Sequence, residues 1–334
     1  MTDQILLSHG SGGRLSHQLI DEVLVSAFGN PILNRMDDSA TFELKGRIAF
    51  TTDSYVVSPI FFPGGDIGKL AICGTVNDIA MSGAVPKYLS NALVIEEGLA
   101  LADLKKIVAS MKKAADEAGV AIVTGDVKVV NKGGADRIFI NTAGVGSIAD
   151  DIDISSANAK PGDVVIVSGP IGDHGMTIMT QREGLSVSGD LASDCAPLNH
   201  LVADMLSVSA KIDCLRDPTR GGLAATLNEL AQSSQVSIVI EEDRIPVREE
   251  VHAACEMLGL DVLYVANEGK LVAIVSATEA NRILAKMKRN PYGADAVIIG
   301  EVKADHPGRV VLKTPLGSSR IIDMPLGELL PRIC

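Results

Sequence analysis

A chain of 334 residues with 46% hydrophobic content and a mean hydropathy of +0.25 can bury a large core, and its length suits two domains. Aromatic residues are only 3% of it, so that core must be aliphatic. A net charge of −12 argues against nucleic-acid and anionic-membrane partners. No apolar run approaches the roughly 18–20 residues of a membrane span, and the start MTDQILLSHGSGG lacks the features of a secretory signal, so the expected location is the cytoplasm.

The first predicted element is a helix over 14–28, with Leu15, Leu19, Val23 and Ala27 at helical spacing and Gly29-Asn30-Pro31 ending it. Ahead of it lies His9-Gly10-Ser11-Gly12-Gly13, a glycine-rich loop opening onto a helix N-terminus, an arrangement suited to phosphate. HGSGG fits neither the Walker A nor the dinucleotide fingerprint. A strand over 47–52 then ends at Asp53, and a buried helix over 67–82 carries Asn77 and Asp78 within an apolar run. An acidic residue there needs a partner or a cation. Strand 88–95, helix 101–118, strand 121–124 running into Gly125-Asp126-Val127-Lys128, and strand 138–145 complete a first domain, 1–150. Asp38, Asp53, Asp78 and Asp126 fall at strand ends or polar breaks, and hard oxygen ligands beside a phosphate cradle suit Mg²⁺ with ATP.

The polar stretch 149–162, with Pro161-Gly162, marks a boundary to a second α/β domain, 151–324. Helices are expected at 176–183, 198–207, 222–233, 247–258 and 279–289, and strands at 164–168, 237–240, 271–276, 296–302 and 310–312. Two spots stand out in this half. Arg216-Asp217-Pro218-Thr219-Arg220-Gly221-Gly222 is a second glycine-rich lead into a helix, flanked by arginines, and reads equally as an ordinary cap or an anion site. Ala266-Asn267-Glu268-Gly269-Lys270 precedes a strand and has the composition of a turn. Cys73, Cys195, Cys214 and Cys255 are scattered without a CxxC pair and read as small core hydrophobes. The fifth, Cys334, is the terminal residue. The tail 325–334, PLGELLPRIC, holds Pro325 and Pro331, which disfavour helix. Extended, it would reach about 30 Å, enough for a thiol to enter a pocket and also visit another protein.

HGSGG, DDSA, TTDS, FFPGGDIGKLAICGTVNDIAMSGAVP, TGDVKVV, RDPTRGG, ANEGKL and a final PRIC occur in that order. This combination resembles, over essentially the whole chain, the HypE family of hydrogenase maturation proteins. Those are carbamoyl dehydratases of the superfamily that includes aminoimidazole ribonucleotide synthetase and selenophosphate synthetase. The resemblance implies an α/β (α+β type) two-domain fold. Its N-terminal domain would pair with a second subunit's into a β-barrel in a homodimer, and the C-terminal tail would be mobile.

The resemblance also implies ATP and Mg²⁺ as cofactors and a carbamoyl group placed on Cys334 by the carbamoyltransferase HypF. ATP-driven dehydration would give a thiocyanate, and its cyanide would pass to a HypC–HypD complex for the NiFe-hydrogenase iron centre. By match of motifs, Asp38, Asp78 and Asp126 are implied as metal ligands. His9 to Gly13, Asp53, Asn77, Asp126, Asp217 and Arg220 are implied at the nucleotide. Glu268 is the expected base, and Lys128 the expected cation for the activated oxygen. Another ATP-dependent phosphotransferase of the superfamily is disfavoured because the glycine-rich loop has no Cys. The non-enzymatic alternative is a carrier with Cys334 as a docking tag.

Overall fold

Helical spacing and alternation resolve into two sheets, each packed with helices. The computed structural model describes residues 3–11, 13–185, 189–325, 327, 330 and 332–334, so Gly12 of HGSGG and Pro331 of the tail lie outside the described residues. The first helical run is α1 (Arg14–Leu19), a π-helical turn over Ile20–Val25 and α2 (Ser26–Phe28), with Leu19, Val23 and Phe28 buried. There follow β1 (Arg47–Tyr55), the short hairpin β2 (Phe61–Phe62) and β3 (Gly65–Asp66), α3 (Ile67–Met81), β4 (Val85–Glu96), α4 (Leu101–Ala118), β5 (Ala121–Val130) and β6 (Ile138–Ile148). The sheet order is β1-β6-β4-β5, antiparallel except for the β4–β5 pair.

Asp66 starts α3, its carboxylate accepting from the N–H groups of Gly68 at 2.8 Å and Lys69 at 3.0 Å. The helix is buried on nearly all sides because it lies on the inner face of the sheet and also meets α6 and β8 of the second half. On the other face of the sheet Ile48, Phe50 and Val85 stand exposed, Phe50 by 70%.

The second half comprises β7 (Val164–Val167), α5 (Asp173–Arg182), α6 (Asn199–Leu206), β8 (Ile212–Arg216), α7 (Gly222–Ser234), β9 (Ser237–Glu241), α8 (Glu249–Leu258), β10 (Val272–Val275), α9 (Ala280–Met287), β11 (Val297–Lys303), β12 (Val310–Lys313) and β13 (Ser319–Ile322). Its sheet order is β13-β12-β9-β11-β7-β10-β8, with only β12–β9 parallel among these pairings. Among the described residues no helix is long and apolar enough to cross a membrane.

Two expectations change here. Asp53 and Asp126 do not follow their strands but sit inside them, since β1 runs on to Tyr55 and β5 to Val130. In β5 the buried Val127 alternates with the exposed Asp126 and Lys128, the pattern of a strand open on one face. Strands β8 and β13, at five and four residues, were too short to stand out by periodicity.

Candidate active site

The last residues, 332–334, are docked on the body of the chain. Val56 N–H donates to the Cys334 carbonyl at 3.1 Å and Ser58 N–H to that of Arg332 at 3.3 Å, so the tail lies along the segment that leaves β1. The Arg332 guanidinium donates twice to the Val56 carbonyl and pairs with Asp136. From α5, Arg182 donates to the carbonyls of Ser58 and Arg332, and the His174 ring meets the Ile333 carbonyl at 2.7 Å. Leu330, Ile333 and Cys334 thereby join the same hydrophobic core as Leu19 and Tyr55. Cys334 is 9% exposed.

One loop touches its sulfur, and a second brings a charge close enough to act on it. Arg220, from RDPTRGG, donates its Nε–H to Cys334 Sγ at 3.2 Å. Glu268, from ANEG, is buried, and its Oε1 has no hydrogen-bond partner. ANEG is therefore an interior segment and not a surface turn. Asn267 fixes it, accepting from Gly172 N–H at 2.7 Å and donating its amide to the Pro218 carbonyl at 2.9 Å, which ties ANEG to RDPTRGG. Gly269 must be glycine, because a Cβ there would stand 1.8 Å from the Asp194 carbonyl oxygen.

Burial, with the Glu268 charge second, pushes the Cys334 thiol up to about 12 from an ordinary 9.0, and Arg220 only partly opposes this. A docked thiol is thus a poor nucleophile. Since docking raises the thiol pKa, docking is at full strength below pH 9 and weakens as pH climbs from 9 towards 12. Alkylation of Cys334 should keep rising about tenfold per pH unit between pH 9 and 10 in peptide-resolved mass spectrometry; a plateau near pH 9, as for a free thiol, would contradict the docked position.

Around this pair stands a group of carboxylates. Asp78, midway along α3, accepts from Thr51 Oγ1–H at 2.9 Å, and burial and then the Asp53 charge raise its pKa. Asp217 is pushed to about 7 by burial, by Asp78 and by Asp53, with Arg216 opposing. Burial, Cys195, Asp217, Asp194 and Asp53 hold Glu268 well above the usual carboxylate range.

HGSGG and TGDVK meet elsewhere. Gly10 packs so closely on β5 that a Cβ would lie 2.5 Å from Val129 N. Between them is a cavity of about 270 Å³ lined by His9, Gly10, Asp126 and Lys128 and by apolar side chains that include Leu24, Phe28 and Leu33. Lys128 pairs with Asp126 at 2.6 Å, and this hydrogen bond holds the Asp126 carboxyl below its usual range.

The structure thus brings Cys334, Glu268, Asp217, Arg220, Asp53 and Asp78 together, and separately His9, Gly10, Asp126 and Lys128. Arg220, not Lys128, is the cation at the thiol. Asp78 stands with Asp53 and Asp217, whereas Asp38 is exposed and Asp126 is occupied by Lys128. Ser11 turns its hydroxyl back to the Ser8 carbonyl, and Gly13 precedes α1. Asn77 adjoins the first group through the backbone of Glu268: its amide donates to the carbonyls of Ala196 and Glu268, and its oxygen accepts from Leu198 N–H, so it also fastens α3 to the second half. The residues that hold the tail, His174 and Arg182, carry no local sequence signal.

Among the described residues no three His, Cys, Asp or Glu side chains are close enough together to cage a metal ion. One or two of the oxygen donors Asp53, Asp78 and Asp217 nevertheless fit Mg²⁺, which commonly takes one or two carboxylates and completes its shell with phosphate and water. The raised proton affinities of Asp78 and Asp217, to both of which the Asp53 charge contributes after burial, are what a cation would relieve.

Residues 36–148 match the N-terminal domain, and residues 160–313 the C-terminal domain, of the AIR synthase related protein families. Fold and site thus define an AIR synthase-related protein with a cysteine-ended tail. The carbamoyl dehydratase HypE of Azotobacter vinelandii is 55% identical over 98% of this chain and 96% of its own. A hydrogenase maturation protein HypE solved in complex with ATP superposes with a TM-score of 0.95 at 51% identity, covering 98% of this chain and 99% of that one. HypE from a HypE–HypF complex gives 0.82 at 52% identity, covering 92% and 99%. The chain belongs to the HypE family of carbamoyl dehydratases.

Proposed function

We propose that this chain uses ATP to dehydrate a carbamoyl group carried on its own Cys334 sulfur, leaving a thiocyanate. The observation that carries the reading is the terminal thiol bound by the Arg220 guanidinium and within reach of the charge of buried Glu268, whose Oε1 has no hydrogen-bond partner among the described residues. A carbamoyl oxygen is a poor leaving group, so it must first take the γ-phosphoryl group of ATP. One proton leaves the nitrogen as the O–P bond forms, and a second leaves as the C–O bond breaks and inorganic phosphate departs. Carbon, nitrogen and sulfur remain on the chain.

In this reading Glu268 is the base, because an ionised carboxylate with a raised pKa is a strong proton acceptor. ATP takes the cavity between HGSGG and TGDVK, base against the apolar side chains and phosphates at His9, Gly10 and Asp126. One or two of Asp53, Asp78 and Asp217 would hold Mg²⁺, which would supply charge stabilisation to the transferring phosphoryl group. Lys128 serves the activated oxygen. Its pairing with Asp126 is a surface ion pair worth little, so the ammonium can turn to another anion.

The test is ATP consumption. Protein carbamoylated on Cys334 should consume one ATP per carbamoyl group in the presence of Mg²⁺ and none after chelation, and Cys334→Ser should consume none in either case. Consumption by Cys334→Ser equal to wild type would overturn the reading in favour of a small-molecule substrate. The loading partner is a HypF-type carbamoyltransferase, as the HypE–HypF complex of a relative suggests, and the acceptor of the cyanide is a HypC–HypD complex. Both are tested by co-purification with the tail intact and with residues 325–334 removed; equal capture by the two forms would refute a role for the tail.

The sheet face that bears Ile48, Phe50 and Val85 supports a homodimer in which two such sheets close a barrel. Phe50 and Ile48 lie opposite Val145 and Ser147 there, an apolar patch rimmed by polar groups. Phe50→Arg should convert the dimer to monomer in sedimentation; unchanged dimerisation would exclude this face.

A further inference from the structure

We propose that His174 is a positioning residue, a latch whose Nε2–H grips the Ile333 carbonyl and so sets how long the loaded tail stays in the site. The inference rests on the dehydration proposed above. It starts from an imidazole that has no place in the chemistry there, yet is fully buried and lies one residue from the sulfur-bearing position.

The tautomer follows from the partners. A carbonyl oxygen only accepts, so the 2.7 Å contact with Ile333 puts the proton on Nε2. Nδ1 must then accept, and the Ser193 hydroxyl donates to it at 2.8 Å. Ser193 Oγ in turn accepts the Cys195 N–H at 3.1 Å, and Ser193 N–H is bound to the Pro63 carbonyl at 2.9 Å. The ring is further held edge-on by Phe62, at 5.6 Å between centroids. A fixed chain of donors thus runs from the 193–195 loop to the tail and ends on the residue beside Cys334. Burial keeps the imidazole neutral by lowering its pKa, with Arg182 acting in the same direction and Asp194 opposing.

A latch makes a demand that a merely structural histidine does not. Loading needs the tail out and dehydration needs it in, so weakening the grip must move the two half-reactions in opposite directions. His174→Leu leaves the Ile333 carbonyl buried without a donor, whereas His174→Gln carries an N–H donor that can reach it.

The test uses full-length protein and iodoacetamide, with labelling of each cysteine followed by peptide mass. His174→Leu should label Cys334 about tenfold faster than wild type, the effect of one lost hydrogen bond whose acceptor stays buried. His174→Gln should stay within about threefold of wild type. Cys73, Cys195, Cys214 and Cys255 are buried and should stay unlabelled in both, which reports an intact fold. Carbamoylated His174→Leu should dehydrate about tenfold more slowly, with loading unchanged or faster. Cys334 labelling at the wild-type rate, or equal slowing of loading and dehydration, would overturn the latch. Should His174→Leu expose the four core cysteines, Ser193→Ala replaces it: loss of the hydroxyl that fixes the tautomer should speed Cys334 labelling several-fold, and no change would overturn the proposal. Labelling needs neither ATP nor carbamoyl group. Wild-type protein that fails to dehydrate therefore refutes the proposed function while leaving the latch to stand or fall on labelling alone.

Discussion

Replacing Glu268 by Gln should leave carbamoylation of Cys334 intact and slow its dehydration by roughly 10²–10⁴-fold, the usual contribution of a positioned base. Gln keeps the shape and the polar atoms but cannot take a proton from the carbamoyl nitrogen. Unfolding would not explain the loss. Glu268 is buried near Asp217, Asp194 and Asp53, and burial and these charges hold its pKa well above 4.5. A carboxyl whose folded pKa is raised contributes stability that is present below its unfolded pKa and lost as pH rises through the folded one. A neutral Gln escapes that loss, so the melting temperature of the variant should equal or exceed wild type at pH 8, with a smaller difference at pH 5. Wild-type dehydration in Glu268→Gln would remove this residue from the mechanism. A lower melting temperature at pH 8 would contradict the burial argument.

The second large effect is expected at Lys128. Lys128→Met should reduce dehydration by about 10²–10³-fold, the magnitude of a removed oxyanion donor. Stability should change by no more than about 0.5 kcal/mol, because both Lys128 and Asp126 are more than half exposed. The companion variant is Arg220→Met, whose side chain touches the thiol in this structure. In single-turnover measurements on carbamoylated protein, Lys128→Met should lose rate more than Arg220→Met. A wild-type rate for Lys128→Met, with the loss falling on Arg220→Met, would transfer the oxygen to Arg220.

The parts of the site that are local motifs were legible in the sequence. RDPTRGG and ANEG stood out because glycines and charges interrupt apolar segments; Arg220 of the first binds the terminal thiol, and the charge of Glu268 in the second acts on it. Asp78 needed a partner in its buried helix and has one in Thr51. The four scattered cysteines are buried and free, as their apolar surroundings suggested. Placement was harder to read. Asp126 looked like a residue after a strand, because Gly125 suggested a break, yet the alternation through Val127 continues the strand to Val130. ANEG had the composition of a surface turn, and only long-range packing reveals that Asn267 and Glu268 are buried.

Docking of the tail was the least legible feature. Its partners Arg220, Arg182, His174 and Asp136 lie 114 to 196 residues away in sequence. Two prolines predicted an extended segment, but no periodicity marks which carbonyls will be gripped at the far end of a chain.

The most direct measurement is the mass of the C-terminal peptide. Protein carbamoylated on Cys334 and given ATP with Mg²⁺ should lose the mass of one water, with the loss confined to the peptide that ends in Cys334. A carbamoylated peptide that keeps its full mass while ATP is available would contradict the proposed dehydration.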